Sequence, residues 1–337
     1  MKKHVNIPIF IPHVGCPNDC VFCNQRKISG HTGFHKETVR DEILSALETA
    51  RTDIPRQIAY FGGSFTGIDR ADMIYLLEVA NEFIDDGRCE SIRISTRPDY
   101  ISREILDILK RYHVGTIELG VQSMDDAVLS ASRRGHTAAD TKKAFSLIRE
   151  YGFELIGQMM TGLPASTREA EVMTAETICN MGADGARIYP TVVFCDTDLH
   201  QMTLDGVYLP FSTEVSVDRT AAALSVFLKR GIPVIRVGLQ SGELLTDGDA
   251  VVGGGYHPAV GEMAYARCHR NAVEQMLLSE ETMGKTLILR VHPTDISAFI
   301  GQKGENRQYF IEKFALRGVK VTPDGAISKY KFAFTLL

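Results

Sequence analysis

Length, composition and charge limit the classes of protein that the chain can represent. It has 337 residues, with a hydrophobic content of 44%, a charged content of 23% and a formal net charge of -5. These values fit a globular protein with one large and one small domain, and they exclude a generic polyanion binder. The N-terminus lacks a signal-peptide pattern, no apolar run is long enough for a membrane span, and the seven cysteines do not resemble a secreted disulfide framework. We therefore expect a cytoplasmic protein without a membrane partner.

Strands and helices alternate along the first two thirds of the chain. Buried-strand patterns occur at 8–11, 57–61, 91–95, 116–120, 153–160, 185–189 and 232–237. Helical patterns lie between them at about 36–51, 70–85, 101–112, 167–181 and 214–230. After the fourth strand, further helical patterns lead through to about residue 150. Six successive strand–helix units imply right-handed crossovers and a parallel sheet, but they are too few for a closed eight-stranded barrel. We predict an α/β fold, a partial parallel (βα)6 barrel, with functional residues in the loops after the strands.

The pattern changes from about residue 241. A glycine-rich connection and a helix at about 260–279 lead to a small α+β unit, so we predict domains at 1–240, 241–283 and 284–337. The last of these has strand patterns at 286–291, near 319–322 and at 329–336, with helices around a Gly-x-x-Gly loop. It holds nine Lys and Arg against four Asp and Glu, a net charge of +5, while the remainder of the chain carries -10. This asymmetry suggests a polyanion partner for the small unit.

Cys16, Cys20 and Cys23 lie together with the spacing C-x3-C-x2-C, just after the first strand. Three soft thiolates in one loop favour a metal ion or an iron–sulfur cluster. Three ligands would leave one iron of a four-iron cluster open to another molecule. A structural zinc site is one alternative, although zinc would need a fourth ligand such as His13 or a distant cysteine. Incidental thiols are the other alternative.

Glycine and polar residues follow the next strands. Gly62 and Gly63 end the second strand, where glycine lets the backbone approach a ligand closely, although a simple turn would explain them too. Arg97 follows the third strand and is a candidate contact for a carboxylate or a ribose, with a plain surface cation as the alternative. Gln122 follows the fourth strand and is either a pocket residue or a packing residue.

The cysteine spacing, with aromatic Phe22 before the last cysteine, resembles the signature of the radical S-adenosylmethionine (SAM) superfamily. The resemblance implies a 4Fe-4S cluster whose open iron is chelated by SAM, and reductive cleavage of SAM to methionine and a 5′-deoxyadenosyl radical. It also implies that the glycine pair binds the amino group of SAM and that residues 157–164 lie along its adenine and ribose. The cofactor-pocket candidates are Gly62, Gly63, Ser64, Arg97, Gln122 and Gln158. No general acid or base can be named.

A closer resemblance rests on six motifs in order within residues 10–240. They lie at 15–25, 62–66, 96–99, 118–123, 134–137 and 188–191. The series is similar to the radical SAM domain of the Elongator catalytic subunit and its prokaryotic relatives, which implies modification of the tRNA wobble uridine with a carboxymethyl group from acetyl-CoA. The sequence offers no segment for the acetyltransferase domain and no basic N-terminal extension. We therefore expect no acetyl-CoA partner.

The small unit resembles a KH module. In such modules a G-x-x-G loop between two helices clamps the backbone of about four single-stranded nucleotides. The nucleic-acid-binding candidates are Gly301, Gln302, Lys303 and Gly304. The alternative is a basic accessory unit that packs on the barrel or mediates assembly.

The function we predict is a radical SAM enzyme acting on RNA, with tRNA favoured, that binds RNA through its C-terminal unit and receives electrons from a donor such as flavodoxin or ferredoxin. One alternative is a radical SAM enzyme acting on a small metabolite or peptide. The other is a non-catalytic iron–sulfur protein that binds RNA and regulates.

Overall fold

The structure, a computed structural model, describes residues 4–11, 15–16, 20–24, 34–239 and 250–337. The predicted domain boundary at 240/241 lies outside the described residues, as do His13 and positions 17–19 between the first two cysteines. No helix in the described parts of the chain is long and apolar enough to cross a membrane.

Seven parallel strands form one sheet in which spatial order repeats chain order. They are β1 (Val5–Ile11), β2 (Arg56–Gly62), β3 (Ser91–Thr96), β4 (Val114–Gln122), β5 (Glu154–Thr161), β6 (Gly185–Pro190) and β8 (Val234–Val237). Residues of the two outermost strands, β1 and β8, line the same cavity, so the sheet is curled. The predicted α/β partial barrel is confirmed.

Helices cover the outer face of this sheet. They are α1 (Val39–Thr49), α2 (Arg70–Asp85), α3 (Arg103–Arg111), α4 (Asp126–Ala131), α5 (Ala138–Glu150), α6 (Arg168–Asn180), α7 (Asp198–Leu204) and α8 (Thr213–Arg230). Side chains at their starts, such as Asp69, Ser102 and Thr137, accept hydrogen bonds from first-turn amides. The apolar faces of the helices and the sheet residues form one continuous core.

Two features near the cavity differ from the sequence prediction. Residues 190–213 read as a loop, but they contain α7 and the short strand β7 (Val192–Phe194), which pairs antiparallel with β9 (Val251–Gly254). A three-residue strand carries too little periodicity to be recognised. The helical stretch predicted up to residue 150 is two helices, α4 and α5, because Arg133 and Gly135 adopt positive φ between them.

The C-terminal unit is a three-stranded sheet with two short helices. Its elements are β10 (Thr286–Val291), α10 (Ile296–Ile300), α11 (Glu305–Phe314), β11 (Gly318–Pro323) and β12 (Phe332–Leu336), and β10 pairs parallel with β11 and antiparallel with β12. The order strand, helix, G-x-x-G, helix, strand is the predicted one.

A long helix, α9 (Val260–Leu277), packs on both parts of the molecule. Its residues Ala264 and Cys268 belong to the barrel core, while Val273 and Leu277 belong to the core of the C-terminal unit. Asn306 of α11 donates to the Ala266 carbonyl at 3.0 Å. The small unit is therefore seated on the barrel through one shared helix.

Candidate active site

A cavity of about 600 Å³ lies inside the curled sheet, at the end where the strands terminate. Its wall includes all three clustered cysteines and five of the six pocket candidates from the sequence: Gly62, Gly63, Arg97, Gln122 and Gln158. Ser64, the sixth, is not part of the wall. The curl of the sheet thus brings together residues that are up to 142 positions apart in the chain, from Cys16 to Gln158.

Two glycines allow the cysteine loop to pass directly beside the loop after β2. Gly15 has φ +76°, and a Cβ there would lie 2.3 Å from the Ser64 carbonyl oxygen. A Cβ at Gly67 would lie equally close to the Gly15 carbonyl oxygen, at 2.3 Å. Larger residues would push the loops apart, so this contact fixes Cys16 against the end of β2.

The thiols themselves are withdrawn from water. Cys20 is buried, Cys16 and Cys23 are half-buried, and the Cys23 amide donates to the Cys20 carbonyl at 2.9 Å. Burial raises the pKa of the Cys16 thiol, while Arg134, the backbone amide of Ser64 and Arg97 act in the opposite direction. Cations and an amide therefore surround a group that binds metal as a thiolate.

Arg134 is a site residue that the sequence analysis did not single out, although it lies in one of the six motifs. It is buried, and its Nη1 donates to Cys20 Sγ at 3.3 Å while Nη2 donates to the Gly120 carbonyl at 2.9 Å. Its Nε has no partner in the part of the chain that the structure describes. The side chain returns to the cavity from the segment between α4 and α5, a long-range contact that sequence spacing does not reveal.

The loop after β2 presents backbone to the cavity. Gly62 has φ +110°, and a Cβ there would lie 2.6 Å from the Ile11 carbonyl oxygen, so β1 and β2 can end together only with glycine at this position. Gly63 donates to the same carbonyl at 2.7 Å. Ser64 Oγ lies 2.9 Å from Thr96 Oγ1 and accepts from the Arg97 amide at 3.3 Å. Ser64 thus ties the ends of β2 and β3 together behind the wall.

Arg97 and Gln122 each hold a buried polar atom that has no partner among the described residues. Asp99 accepts from Arg97 Nε at 3.0 Å and from Nη2 at 2.8 Å, which leaves Nη1 buried and unpaired. Gln122 ends β4 at a register shift with φ +62°, and its Oε1 is likewise unpaired. A non-glycine residue in this backbone region is strained, and bulges of this kind redirect side chains beside active sites. Buried polar atoms of this type indicate a ligand.

A buried polar network forms the deeper wall. Glu118 is fully buried and accepts hydrogen bonds from Arg93, Gln158 and Arg187, at 2.8, 2.7 and 2.8 Å. Gln158 therefore has its amide nitrogen engaged with Glu118 while its side chain lines the cavity. The network holds four strands, β3, β4, β5 and β6, in fixed relation around the cavity.

The donor set fits a 4Fe-4S cluster with SAM better than zinc. Three soft thiols share one cavity with a buried cation, while the unpaired atoms of Arg97 and Gln122 suit a polar molecule bound beside them. Among the described residues, no three His, Cys, Asp or Glu side chains are arranged to enclose a metal ion. His13, the fourth zinc ligand that the sequence offers, lies outside the described residues, so the preference for a cluster rests on the polar atoms beside the thiols.

Comparison with known proteins finds relatives whose names refer to Elongator or to tRNA uridine modification. The chain is 29% identical over 170 residues to Elongator complex protein 3 of Saccharomyces cerevisiae, covering 47% of this chain and 30% of that protein. It is 32% identical over 145 residues to tRNA uridine(34) acetyltransferase of Methanocaldococcus infernus, with coverage of 42% and 27%. The chain therefore spans less than a third of the length of these two relatives. An uncharacterized protein of Methanocaldococcus jannaschii is 29% identical over 219 residues and is covered to 67%.

Solved structures agree on the fold. The archaeal Elp3 of Methanocaldococcus infernus with an N-terminal deletion superposes with a TM-score of 0.61 at 21% identity, covering 83% of this chain and 65% of that one. The model of the Radical SAM superfamily matches residues 10–178, and that of the Radical_SAM C-terminal domain matches 183–270. The first match covers half of the chain and contains all three cysteines. The chain thus belongs to the radical SAM superfamily, whose enzymes bind a 4Fe-4S cluster and S-adenosylmethionine.

Proposed function

We propose that this radical SAM enzyme cleaves SAM reductively at a cluster held by Cys16, Cys20 and Cys23, and that it modifies RNA, with tRNA as the favoured substrate. The observation that carries the first part is the convergence of the three cysteines, the Gly62–Gly63 backbone, Arg97 and Gln122 on one cavity. When bound, the cluster supplies one electron that cleaves SAM to methionine and a 5′-deoxyadenosyl radical.

The residues of the chain bind and orient the cluster and SAM. The three thiolates hold the cluster, and Arg134 places positive charge beside Cys20. The backbone of Gly62 and Gly63 lines the cavity, where it can approach the amino group of SAM closely. The Asp99 pair fixes the Arg97 guanidinium so that its free Nη1 can donate to a carboxylate or ribose oxygen. Gln122 Oε1 offers an acceptor.

The remaining wall excludes water from the reaction. Aromatic and apolar side chains line it, from β1, the cysteine loop, β2 and β7: Phe10, Phe22, Phe61, Val192 and Phe194. An apolar wall protects a reactive radical from side reactions and strengthens the electrostatic contacts inside the cavity.

The RNA substrate is supported by the relatives and by the C-terminal unit. Two relatives carry names that place them in tRNA modification or in Elongator. In the small unit Gly301 and Gly304 have φ +78° and +82°, and Lys303 between them is exposed. Positive φ at both glycines and an exposed lysine give a loop whose amides and charge can approach a phosphate closely.

Anaerobic reconstitution tests the enzymatic part. With iron, sulfide, dithionite and SAM, we expect the protein to bind close to four irons and to release 5′-deoxyadenosine. An intact cluster that never yields 5′-deoxyadenosine, under any reductant, would favour the non-catalytic iron–sulfur protein.

Nucleoside mass spectrometry tests the substrate. We expect total tRNA from a deletion strain to lack a modified nucleoside that returns when the gene is restored, but not when the Cys20→Ala form is supplied. Identical nucleoside profiles in all three strains, with 5′-deoxyadenosine formation intact, would favour a small metabolite or peptide as substrate.

A further inference from the structure

Among the described residues, four arginines line the cavity, and one of them differs from the others. Asp99 pairs with Arg97, Cys20 and Gly120 accept from Arg134, and Glu118 pairs with Arg187 at 2.8 Å. Arg236, the fourth, makes no hydrogen bond or ion pair with any residue that the structure describes. It is half-buried, and its side chain forms part of the cavity wall.

No acidic group in the described wall can neutralise Arg236. Glu118 is the only carboxylate among the lining residues that the structure describes, and it already accepts from Arg93, Gln158 and Arg187. Among the described residues Arg236 therefore has no counter-charge, and partial burial of its guanidinium costs hydration that a partner must replace. An anionic ligand would restore the balance.

Arg236 lies on β8, the last strand of the sheet, which holds none of the candidates for the cluster or SAM. The cysteine loop contacts the loop after β2 through Gly15 and β4 through Arg134. It also packs on α7 and β7, where Leu199 donates to the Val21 carbonyl. The neighbour of Arg236 in register is Arg187 on β6, whose buried Nε also lacks a described partner. Arg187 and Arg236, on adjacent strands, thus both have donors without a described partner. They lie near the β8 edge of the sheet, whereas the cysteines follow β1 at the other edge.

We propose that Arg236, with Arg187 Nε beside it, anchors an oxyanion of the substrate, a carboxylate or a phosphate, inside the barrel. The inference rests on the proposed function, because it supplies the substrate contact that the cluster and SAM leave open. A guanidinium presents planar paired donors that match both oxyanions, and a charged hydrogen bond in a low-dielectric site is stronger than a neutral one. The substrate group that enters the cavity is therefore acidic.

Anion titration of the reconstituted holoenzyme tests this site. SAM is kept at saturation so that its own carboxylate does not compete, and binding of inorganic phosphate and of acetate is measured by calorimetry in chloride buffer. We expect the wild-type protein to bind at least one of them and Arg236→Gln to raise its Kd about tenfold or more. The two probes distinguish a phosphate-bearing substrate from a carboxylate-bearing one.

Arg111→Gln is the matched control, because Arg111 is exposed on α3 and loses the same charge far from the cavity. Its Kd should equal that of the wild type, and Arg236→Lys should retain part of the affinity. Equal binding by Arg236→Gln and wild type, or no binding of either anion by the wild type, overturns the proposal. A selenate soak of wild-type crystals gives a second test that needs no variant: an anomalous peak within hydrogen-bond distance of Arg236 is expected, and its absence there contradicts the assignment.

The result of the anion-binding test can be distinguished from the result of the test of the proposed function. Anion binding that depends on Arg236, in a protein that forms no 5′-deoxyadenosine, would contradict the reaction and leave the anion site standing. Formation of 5′-deoxyadenosine without such binding would contradict only the anion site.

Discussion

The barrel cavity and the junction with the C-terminal unit differ in where their unsatisfied buried polar atoms lie. Around the cavity, unpartnered atoms of Arg97, Gln122 and Arg134 lie in a shared wall beside the three thiols. At the junction of α9 with the C-terminal unit, His269 of α9 and Asn306 of α11 each have a buried atom without a described partner, and neither residue lines that cavity. Unsatisfied groups point to a ligand where they share a cavity. Where packing encloses an unsatisfied group, the group only lowers stability and does not indicate a ligand, so a binding site must be sought on the surface.

Loss of one thiol tests the cavity most severely. Cys20→Ala should abolish 5′-deoxyadenosine formation and reduce bound iron to near zero, because a four-iron cluster cannot be held by two thiolates. Iron analysis and the visible absorbance of the reconstituted protein measure the loss. The control is Cys179→Ala, a half-buried thiol on α6, which should keep full iron and activity. A Cys20→Ala protein with wild-type iron content would remove the cluster assignment.

Glu118→Gln tests whether the polar wall is held by its central carboxylate. The change leaves Arg93 and Arg187 without their shared counter-charge in a buried site, so the free energy of unfolding should fall by about 3 kcal/mol or more. Urea denaturation measures this. Glu104→Gln, which removes an exposed carboxylate paired with Arg70, should cost less than about 1 kcal/mol. Similar losses in the two variants would contradict the contrast between cavity and surface.

The junction with the C-terminal unit should respond to acid. Burial lowers the pKa of His269 to about 4, although Asp295 acts in the opposite direction, and the ring stacks on that of Phe299 with 4.0 Å between the ring centroids. An unfolded histidine has a pKa near 6.5, so below that pH the unfolded state binds a proton that the folded state refuses. Stability should therefore fall as pH drops from about 6.5 towards 4, by about 2 kcal/mol between pH 7 and pH 5.

His269→Phe keeps the ring stack and removes the titration, so the difference in unfolding free energy between pH 7 and pH 5 should shrink by that amount. The exposed His113 gives a control, since His113→Gln should leave the pH dependence as it is in the wild type. If His269→Phe and wild type lose the same unfolding free energy on acidification, then burial does not hold His269 in its uncharged form.

Arg134→Gln tests the cation beside the cluster. Removing a positive charge and an N–H···S contact should make reduction harder and lower the midpoint potential by about 60 mV, a tenfold change for one electron. Potentiometry followed by electron paramagnetic resonance measures the shift without any turnover. The neighbouring Arg133 is exposed and pairs with Asp198, so Arg133→Gln should leave the potential unchanged. An unchanged potential in Arg134→Gln would reduce the arginine to a packing role.

The two regions also differ in how far the sequence predicts them. In the barrel, strand and helix periodicity predicted the parallel sheet, and the residues after each strand predicted the cavity wall, since parallel strands end at one edge. Arg134 and Arg236 were missed, because one comes from a loop between helices and the other from a strand whose inward face has no motif. Ser64 lies behind the wall because its hydroxyl bonds to Thr96, a contact that only the folded chain shows. In the C-terminal unit, the element order was predicted, and so was a helix at about 260–279, which is α9. That α9 packs on both the barrel and the C-terminal unit was not predicted, because packing between units leaves no local pattern.

Gly304 tests the remaining question, whether the surface loop of the C-terminal unit clamps RNA. Its φ of +82° is one that Asn and Asp tolerate better than other residues, and a Cβ there meets nothing within 4 Å, so Gly304→Asn and Gly304→Asp should fold alike. Only the aspartate would face a phosphate with a like charge, which we expect to weaken binding of single-stranded RNA about fivefold at low salt. Fluorescence anisotropy at two salt concentrations should show the difference between the two variants shrinking as salt rises, because screening weakens the repulsion. Equal RNA affinity for both variants would mean that the loop does not contact the backbone, and the C-terminal unit would then act through its packing on α9.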